Sequence, residues 1–273
     1  MKVKVLVDSN QAVKNMPKRS SVSYYIETGN RKILFDLGSN STFANNGKKL
    51  SVDISKIDTA VLSSGFADLG GGLKTFTQLN DMAKIYVQQD AFTPHYTTKM
   101  GMKFSCGLDP ELSQNPKIVF TNNLYFVDDS IQLVSNMIGQ KYTLKANMKY
   151  YLKDSGGYFE DTFKHEQYML IQEDSKNFLF VGNTNLGVAN VIHKVESITN
   201  SKIHYVFGGF HLLEEALKYE ENAQQINEVM KDLKSSNCHF YVSKLNGKEA
   251  LKELDANLSS QITYFTQGEE ITI

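Results

Sequence analysis

Several features are scarce in this 273-residue sequence, and each scarcity excludes a class of protein. Cys106 and Cys238 are the only cysteines, too few for a disulfide framework or a cysteine-based zinc site. No stretch approaches the roughly 18 apolar residues of a membrane-spanning helix, and the N-terminal residues lack the apolar segment of a signal peptide. We therefore expect a cytoplasmic protein in a reducing compartment, without a membrane partner.

An excess of charge is also missing. Lys and Arg number 29 against 30 Asp and Glu, for a formal net charge of −1, so no long-range field attracts nucleic acid. A local basic patch stays possible, but the overall balance predicts no nucleic-acid partner. Hydrophobic residues make up 41% and charged residues 22% of the chain, which is typical of a globular protein and excludes wholesale disorder.

Hydrophobic patterning predicts a mixture of strands and helices. Residues 2–8 alternate as a strand does, and residues 22–27 and 31–36 flank Thr28-Gly29-Asn30, a typical hairpin turn. Strand, helix and strand patterns follow at 59–62, 73–79 and 84–87. The second half predicts strands at 168–172, 178–181, 203–207, 239–242, 262–265 and 270–273, and helices near 186–200, 213–233 and 247–258.

The middle of the chain has weaker patterns. Residues 93–116 indicate an insertion or cap, and residues 145–160 an aperiodic, aromatic-rich loop. Between them, runs at 117–120, 124–127 and 131–134 predict a meander of short strands. Because there is no repeat or linker, we expect one domain over residues 1–273. Two β-rich halves with strand–helix units favour a four-layer α/β/β/α sandwich.

Several short motifs occur along the chain: ILFDLG at 33–38, IDTAVLS at 57–63, GGGL at 70–73, DTFKHEQ at 161–167, the segment 182–190, GGFHL at 208–212 and GKEA at 247–250. Their order resembles the metallo-β-lactamase superfamily, and the motifs from residue 161 onwards resemble its branch of dihydropterin ribofuranosylaminobenzene phosphate synthases. The resemblance extends over about residues 30–250 and implies the α/β/β/α metallo-β-lactamase fold.

The metal-ligand motif of that superfamily is altered here. Members carry His-x-His-x-Asp-His after a Leu-Ser strand end, and the resemblance places these six positions at Ser64-Gly65-Phe66-Ala67-Asp68-Leu69. Phe66 and Leu69 have no donor atom, and Ser64 is a poor ligand for a divalent metal. Asp68 is therefore the one ligand of this motif that the chain keeps.

Two further ligand positions are also altered. The resemblance places Asn185 and Lys244 where members have histidines. Asn suits calcium better than zinc, and an ammonium group is not a ligand. His211 keeps a position where the branch has a site-lining histidine. The resemblance thus implies no metal cofactor here, although members use zinc or iron, and it implies a ligand-binding set of Ser64, Asp68, Asn185, His211 and Lys244.

More than one function fits these observations. The leading hypothesis is a pseudoenzyme that binds a small polar or anionic ligand, or a partner, in the former active-site cleft. The alternative is a hydrolase or transferase with a rearranged or metal-independent site, in which Asp68 and His211 act as acid and base and Lys244 stabilises negative charge. Structural roles also stay open, since Asp68 and Asn185 could cap helices.

The other histidines give weaker signals. His165 lies in the branch-like segment 161–167 and is expected to belong to a hydrogen-bonded support. His95, His193, His204 and His239 show no spacing that suggests metal ligation. Residues 18–20 read Lys-Arg-Ser where the branch tends to carry Glu-His-Gly, which argues against its pterin chemistry. The oligomeric state is not predicted.

Overall fold

The computed structural model describes residues 1–9, 21–29, 31–137, 140–145, 149–243 and 247–273. These residues form a mixed α/β structure, as the sequence predicts. The strands are β1 (Lys2–Ser9), β2 (Ser21–Thr28), β3 (Arg31–Phe35), β4 (Thr59–Leu62), β5 (Lys84–Gln88), β6 (His95–Lys99), β7 (Met102–Ser105), β8 (Ile118–Thr121), β9 (Leu124–Phe126), β10 (Ile131–Ser135), β11 (Tyr150–Asp154), β12 (Gly157–Glu160), β13 (Gln167–Glu173), β14 (Lys176–Phe180), β15 (Tyr205–Phe207), β16 (His239–Ser243), β17 (Ile262–Phe265) and β18 (Glu270–Thr272). The helices are α1 (Thr42–Lys49), α2 (Ala67–Gly70), α3 (Leu73–Leu79), α4 (Val188–Thr199), α5 (His211–Ala216), α6 (Ala223–Ser235) and α7 (Lys248–Leu258).

Contacts between residues divide the chain into two compact units. The first unit comprises Met1–Asn122, Lys149–Gln167 and Thr266–Ile273. The second unit comprises Asn123–Met148 and Tyr168–Phe265. The expectation of one domain with an insertion at residues 93–116 stays a prediction.

A seven-stranded mixed sheet organises the first unit, in the order β18-β1-β2-β3-β4-β5-β8. The predicted hairpin is confirmed, because β2 pairs antiparallel with β3. Strands β3, β4, β5 and β8 then run parallel to one another. All four residues of β4 are buried, which is typical of a parallel strand covered on both faces. The carboxyl ends of β3 and β4 meet at one edge of the sheet, where Asp36 and the segment Ser64–Leu69 follow.

Helices α1 and α3 cover this sheet in the first unit. Phe43 of α1 and Phe76 of α3 are fully buried, and their ring centroids lie 6.4 Å apart. They join a core that includes Leu34, Leu62 and Ile85 from three neighbouring strands. Burial of such side chains contributes about 1.5–3 kcal/mol each and fixes the strand ends that carry the candidate site.

The first unit also contains a four-stranded antiparallel sheet, in the order β12-β11-β6-β7. Strands β6 and β7 form a hairpin within residues 93–116. The prediction of an aperiodic loop at 145–160 is wrong, because this segment contains β11 and β12. Each of these strands has only four or five residues, so its alternation of inward and outward side chains is too short to stand out in the sequence.

A second seven-stranded sheet organises the second unit, in the order β17-β16-β15-β14-β13-β10-β9. Strands β14 to β17 are parallel, and α4, α6 and α7 lie in the connections between them. Val191 of α4, Met230 of α6 and Leu254 of α7 are buried in the core on this sheet. The strand–helix units predicted for the second half are therefore confirmed.

Two further predictions need correction. The three strands predicted as one meander belong to two sheets, because β8 pairs with β5 whereas β9 pairs with β10. The single helix predicted near 213–233 is divided into α5 and α6. Between them the Asn222 amide donates to the carbonyls of Ala216 and Lys145, at 2.9 and 2.8 Å, and so holds the chain in a turn. No helix in the described ranges is long and apolar enough to span a membrane.

Candidate functional site

Asp36 anchors the loop that follows β4 in the first unit. Its Oδ1 accepts the backbone N–H of Ser63 at 2.7 Å, and its Oδ2 lies 2.7 Å from the Ser63 hydroxyl. Burial raises the pKa of Asp36, the hydrogen bonds from Ser63 lower it and the charge of nearby Asp68 raises it, and the net result is a pKa of about 8. Asp36 therefore holds a proton at neutral pH, which makes it a hydrogen-bonding support for the loop.

The segment Ser64–Leu69 occupies the predicted position after β4. The Ser64 hydroxyl accepts the backbone N–H of Phe66 at 3.1 Å. Phe66 is 2% exposed, and Leu69 is fully buried. Asp68 lies in the first turn of α2, where it is buried; the N-cap position belongs to Phe66, so Asp68 does not cap this helix through its side chain.

These residues do not fit the dinuclear metal centre of the superfamily. Of the four side chains at the positions where the resemblance expects ligands, two have no donor atom, and a third, Ser64, already accepts a hydrogen bond. The Phe66 ring fills space instead, with its centroid 4.8 Å from that of His165 and 4.9 Å from that of Tyr150. Asp68 alone cannot replace the three or four protein ligands of a stable zinc site.

A buried cluster of His95, Asp161 and His165 lies directly behind this segment. Nδ1 of His95 is 3.0 Å from Oδ2 of Asp161, and Nε2 of His165 is 3.3 Å from the same oxygen. All three side chains are at most 1% exposed. The other oxygen of Asp161 accepts the backbone N–H of Phe163 at 2.7 Å. Among the described residues, this is the group whose ligand atoms lie near enough, within 4.8 Å, to hold one metal ion.

Hydrogen-bond partners assign the protons of the cluster. Nδ1 of His165 accepts the backbone N–H of Gly65 at 3.0 Å, so a neutral His165 carries its proton on Nε2, facing Asp161. A metal on Nε2 would require His165 to lose that proton as well. Nε2 of His95 and Nε2 of His165 have no hydrogen-bond partner among the described residues, so the cluster keeps two buried nitrogens that its hydrogen bonds do not use.

Charge in the cluster follows from these contacts. Burial alone would raise the pKa of Asp161, but hydrogen bonds from His165 and His95 outweigh this and hold the pKa well below its usual value. Burial lowers the pKa of His95, and the His165 ring lowers it further. At neutral pH the cluster is therefore an aspartate held between two histidines, of which His95 is neutral.

The backbone of the Ser64–Leu69 segment is also held from its other side. Ala67 N–H donates to the carbonyl of Cys106 at 2.8 Å, and Leu108 N–H donates to that of Gly65 at 3.1 Å. Gly65 is required here, because a Cβ would lie 2.4 Å from the carbonyl oxygen of Ala91 and 2.6 Å from Nε2 of His95. The segment is thus rigid, with its position fixed by His165 and by the chain at 106–108.

Two of the predicted site residues lie on joined loops of the second unit. Asn185 is buried in the turn before α4, and His211 is the partly exposed first residue of α5. The two loops are joined by a hydrogen bond from Gly209 N–H to the Gly182 carbonyl, at 3.0 Å, and by one from the Thr184 hydroxyl to the Gly209 carbonyl, at 2.7 Å.

Asn185 does not cap α4, although the sequence allows that role. The N-cap of α4 is Gly187, whose φ of 85° is a conformation that favours glycine. Lys244, the fifth predicted site residue, lies outside the described residues.

The hydrogen-bonded role predicted for His165 is confirmed, whereas His95 and Asp161 were not identified as its partners. His95 lies in β6, within the segment whose pattern is weakest, and 70 residues separate it from His165. No spacing in the sequence links the two histidines. The two rings meet only in the folded chain, where their centroids lie 4.2 Å apart.

Comparisons with known proteins support the fold. No family model matches the chain. An uncharacterized protein of Methanocaldococcus jannaschii, MJ0448, is 28% identical over 272 residues, which cover 97% of this chain and 96% of that protein.

Solved structures are similar over nearly the whole chain. Tm1679, described as a metal-dependent hydrolase of the beta-lactamase superfamily, is 20% identical with a TM-score of 0.78, covering 100% of this chain and 99% of its own. Zn(2+)-bound PqqB from Methylobacterium extorquens is 9% identical with a TM-score of 0.58, covering 100% of both chains. The metallo-beta-lactamase fold protein YhfI from Bacillus subtilis is 11% identical with a TM-score of 0.55, covering 99% of this chain and 98% of its own. The predicted fold class is confirmed: this chain has the metallo-β-lactamase fold.

Proposed function

We propose that this protein is a pseudoenzyme with the metallo-β-lactamase fold, which lacks the dinuclear metal site and binds a small polar or anionic ligand or a partner instead. The observation that carries the proposal is the folding of Ser64–Leu69. The Ser64 hydroxyl accepts a backbone hydrogen bond, and the Phe66 ring packs against His165 where the superfamily has an imidazole ligand.

The rigidity of this segment supports binding over metal chemistry. Asp36 and His165 hold it at Ser63 and Gly65, so it does not need a metal ion to keep its shape. Retaining a precise loop without the ligands is what a binding protein requires, because a preorganised site loses less entropy when it binds.

The candidate binding residues are all polar. Asp68 and Ser64 follow β4 in the first unit, and Asn185 and His211 belong to the joined loops of the second unit. Lys244 is a candidate on sequence grounds alone. One carboxylate, one imidazole and one ammonium suit a small polar or anionic ligand better than an apolar one.

Elemental analysis tests the absence of metal. Protein purified from cells supplied with zinc and iron, and dialysed against a weak chelator, should contain far less than one equivalent of either metal. Hydrolysis of β-lactams and phosphodiesters should stay at background in the same preparation. About one metal ion per chain, lost in Asp68→Asn, would favour a rearranged active site instead.

Native mass spectrometry tests the binding role. Gentle purification should preserve a small-molecule adduct, and Asp68→Asn or His211→Gln should weaken its retention while circular dichroism stays unchanged. An exposed substitution, Lys231→Ala, is the matched control and should retain the adduct. Absence of any adduct, together with catalytic activity, would contradict the proposal.

A further inference from the structure

The two faces of the four-stranded sheet of the first unit differ in composition. Side chains alternate along a strand, and directly paired residues lie on the same face. One face carries the buried residues His95, Thr97 and Tyr150, whereas Phe104 and Phe159 on its outer strands are about half exposed. Tyr96 pairs with Tyr151 on the other face.

Three tyrosines and two lysines gather on the opposite face, and we call them the tyrosine–lysine platform: Tyr96, Tyr151, Tyr158, Lys103 and Lys153. The ring centroids of Tyr96 and Tyr158 lie 5.0 Å apart, edge to face. Nζ of Lys103 lies 4.2 Å from the centroid of Tyr151 and 5.0 Å from that of Tyr158. Nζ of Lys153 lies 5.4 Å from the centroid of Tyr158 and 5.9 Å from that of Tyr96.

The charge of this face is positive. Within the described part of the chain, neither Lys103 nor Lys153 has a carboxylate partner at ion-pair distance. One carboxylate, that of Glu160, shares the face, since Glu160 pairs with Tyr151. Two ammonium groups against one carboxylate give a small positive patch on a protein whose net charge is −1.

The rest of the face has no aliphatic side chain. Its remaining positions are Thr98, Ser105 and Glu160, as the strand pairing places them. Protein–protein interfaces are enriched in tyrosine, but they are depleted in lysine and have an apolar core, which this face lacks. Aromatic rings interleaved with cations instead match a partner that presents both flat rings and negative charge.

We propose that the tyrosine–lysine platform binds single-stranded nucleic acid. Bases stack on the tyrosine rings, above all on Tyr158, which is 43% exposed, and the backbone phosphates pair with Lys103 and Lys153. An open antiparallel sheet with aromatic residues on its solvent face is a geometry that suits the stacking of two or three bases. The proposal is independent of the pseudoenzyme function.

The overall charge does not contradict this inference. A net charge of −1 removes long-range attraction, but stacking and two phosphate contacts act at short range. Two phosphate contacts predict a weak salt dependence, with a slope of about −1.4 in a plot of log affinity against log salt concentration. Binding is therefore expected to be modest and to depend on the rings as much as on the lysines.

Fluorescence anisotropy of a labelled ten-nucleotide oligo-dT with the full chain tests the proposal. Saturable binding at low salt is expected. Tyr158→Ala should weaken it about fivefold or more, since stacking contributes at least that much per base. Lys103→Ala with Lys153→Ala should weaken binding and bring the salt slope near zero. Tyr158→Phe, which keeps the ring, should bind like the unmodified protein.

Controls on the second unit separate the platform from general charge effects. Tyr219→Ala and Lys231→Ala remove an exposed ring and an exposed cation there, and both should leave binding unchanged. Three results would overturn the proposal: no saturable binding at low salt, binding that survives the platform substitutions with circular dichroism unchanged, or equal competition by poly-glutamate, which offers charge without rings. Equally tight binding of a mononucleotide would also overturn the proposal, because the ligand would then be a small molecule and not single-stranded nucleic acid.

Discussion

The backbone N–H of Gly65 donates to Nδ1 of His165 at 3.0 Å, across 100 residues of sequence. This contact joins the Ser64–Leu69 segment to a buried cluster of protein groups. In the cluster, Asp161 receives contacts from both His165 and His95. The position of the loop is thus determined by hydrogen bonds within the chain.

His165→Ala should destabilise the first unit by about 2–4 kcal/mol, because it leaves the Gly65 N–H without its acceptor and removes a buried ring. Urea unfolding measures the loss, and hydrogen exchange at the Gly65 amide should accelerate. His165→Asn is the matched control, since its Oδ1 can replace Nδ1 as the acceptor. It should recover part of the stability; equal losses in both variants would show that the Gly65 contact contributes nothing.

The histidine tautomers can be observed directly by nitrogen-15 NMR of the imidazole rings. At pH 7.5, His165 should carry its proton on Nε2 and His95 on Nδ1. Because burial lowers the pKa of His95, the unfolded state binds more protons at this residue than the folded state does. The stability contributed by the neutral His95 is therefore lost as the pH falls below about 6.5. Added zinc should leave both rings unchanged. A metal-induced shift would show that the cluster ligates metal after all.

Gly65→Ala should destabilise the protein by about 3 kcal/mol, at the upper end of the range for overpacking, because its Cβ would meet the Ala91 carbonyl and the His95 ring. Gly156→Ala is the matched control. Its Cβ would meet a flexible side-chain oxygen of Asp154 at 3.2 Å, in an exposed turn. Thermal unfolding of the two variants compares them. A loss at Gly65 no larger than that at Gly156 would mean that the loop is not held as tightly as the contacts indicate.

Much of the fold is predictable from the sequence, because the buried parallel strands have strong local patterns. β4 was predicted with its observed bounds, since its residues are uniformly apolar or β-branched and all are buried. β11 and β12 were missed because short strands with one exposed face carry polar and aromatic residues in close alternation. The division of α5 from α6 was missed because it depends on Asn222 contacting Lys145, a tertiary contact.

The candidate site was only partly predictable for a similar reason. The motif order places Phe66 and Leu69 at two ligand positions of the superfamily that the sequence resembles, and this stays a prediction. His95 is not predictable, because its role depends on contacts with Asp161 and His165 and not on its neighbours in sequence. The tyrosine–lysine platform has the same origin, since its members come from four short strands of two separate hairpins.

Asp36→Asn should change the pH dependence of stability in a defined direction. The Asp36 carboxyl has a pKa of about 8 in the folded protein against 3.8 for the ordinary group, so between these values the unfolded state has released a proton that the folded state keeps. The contribution of Asp36 to stability is therefore fully present below about pH 4 and is lost as pH rises towards 8.

The side-chain amide in the Asp36→Asn variant does not titrate, and it can still accept the Ser63 N–H and donate to the Ser63 hydroxyl. The free energy of unfolding of Asp36→Asn, relative to the unmodified protein, should thus increase between pH 4 and pH 8 and be constant above. Urea unfolding at one-unit pH intervals measures this difference. Asp129→Asn, at an exposed carboxyl, is the control for losing a charge. If the difference for Asp36→Asn were constant, or fell with pH, then Asp36 would be ionised in the folded protein and the loop would be held by a buried charge.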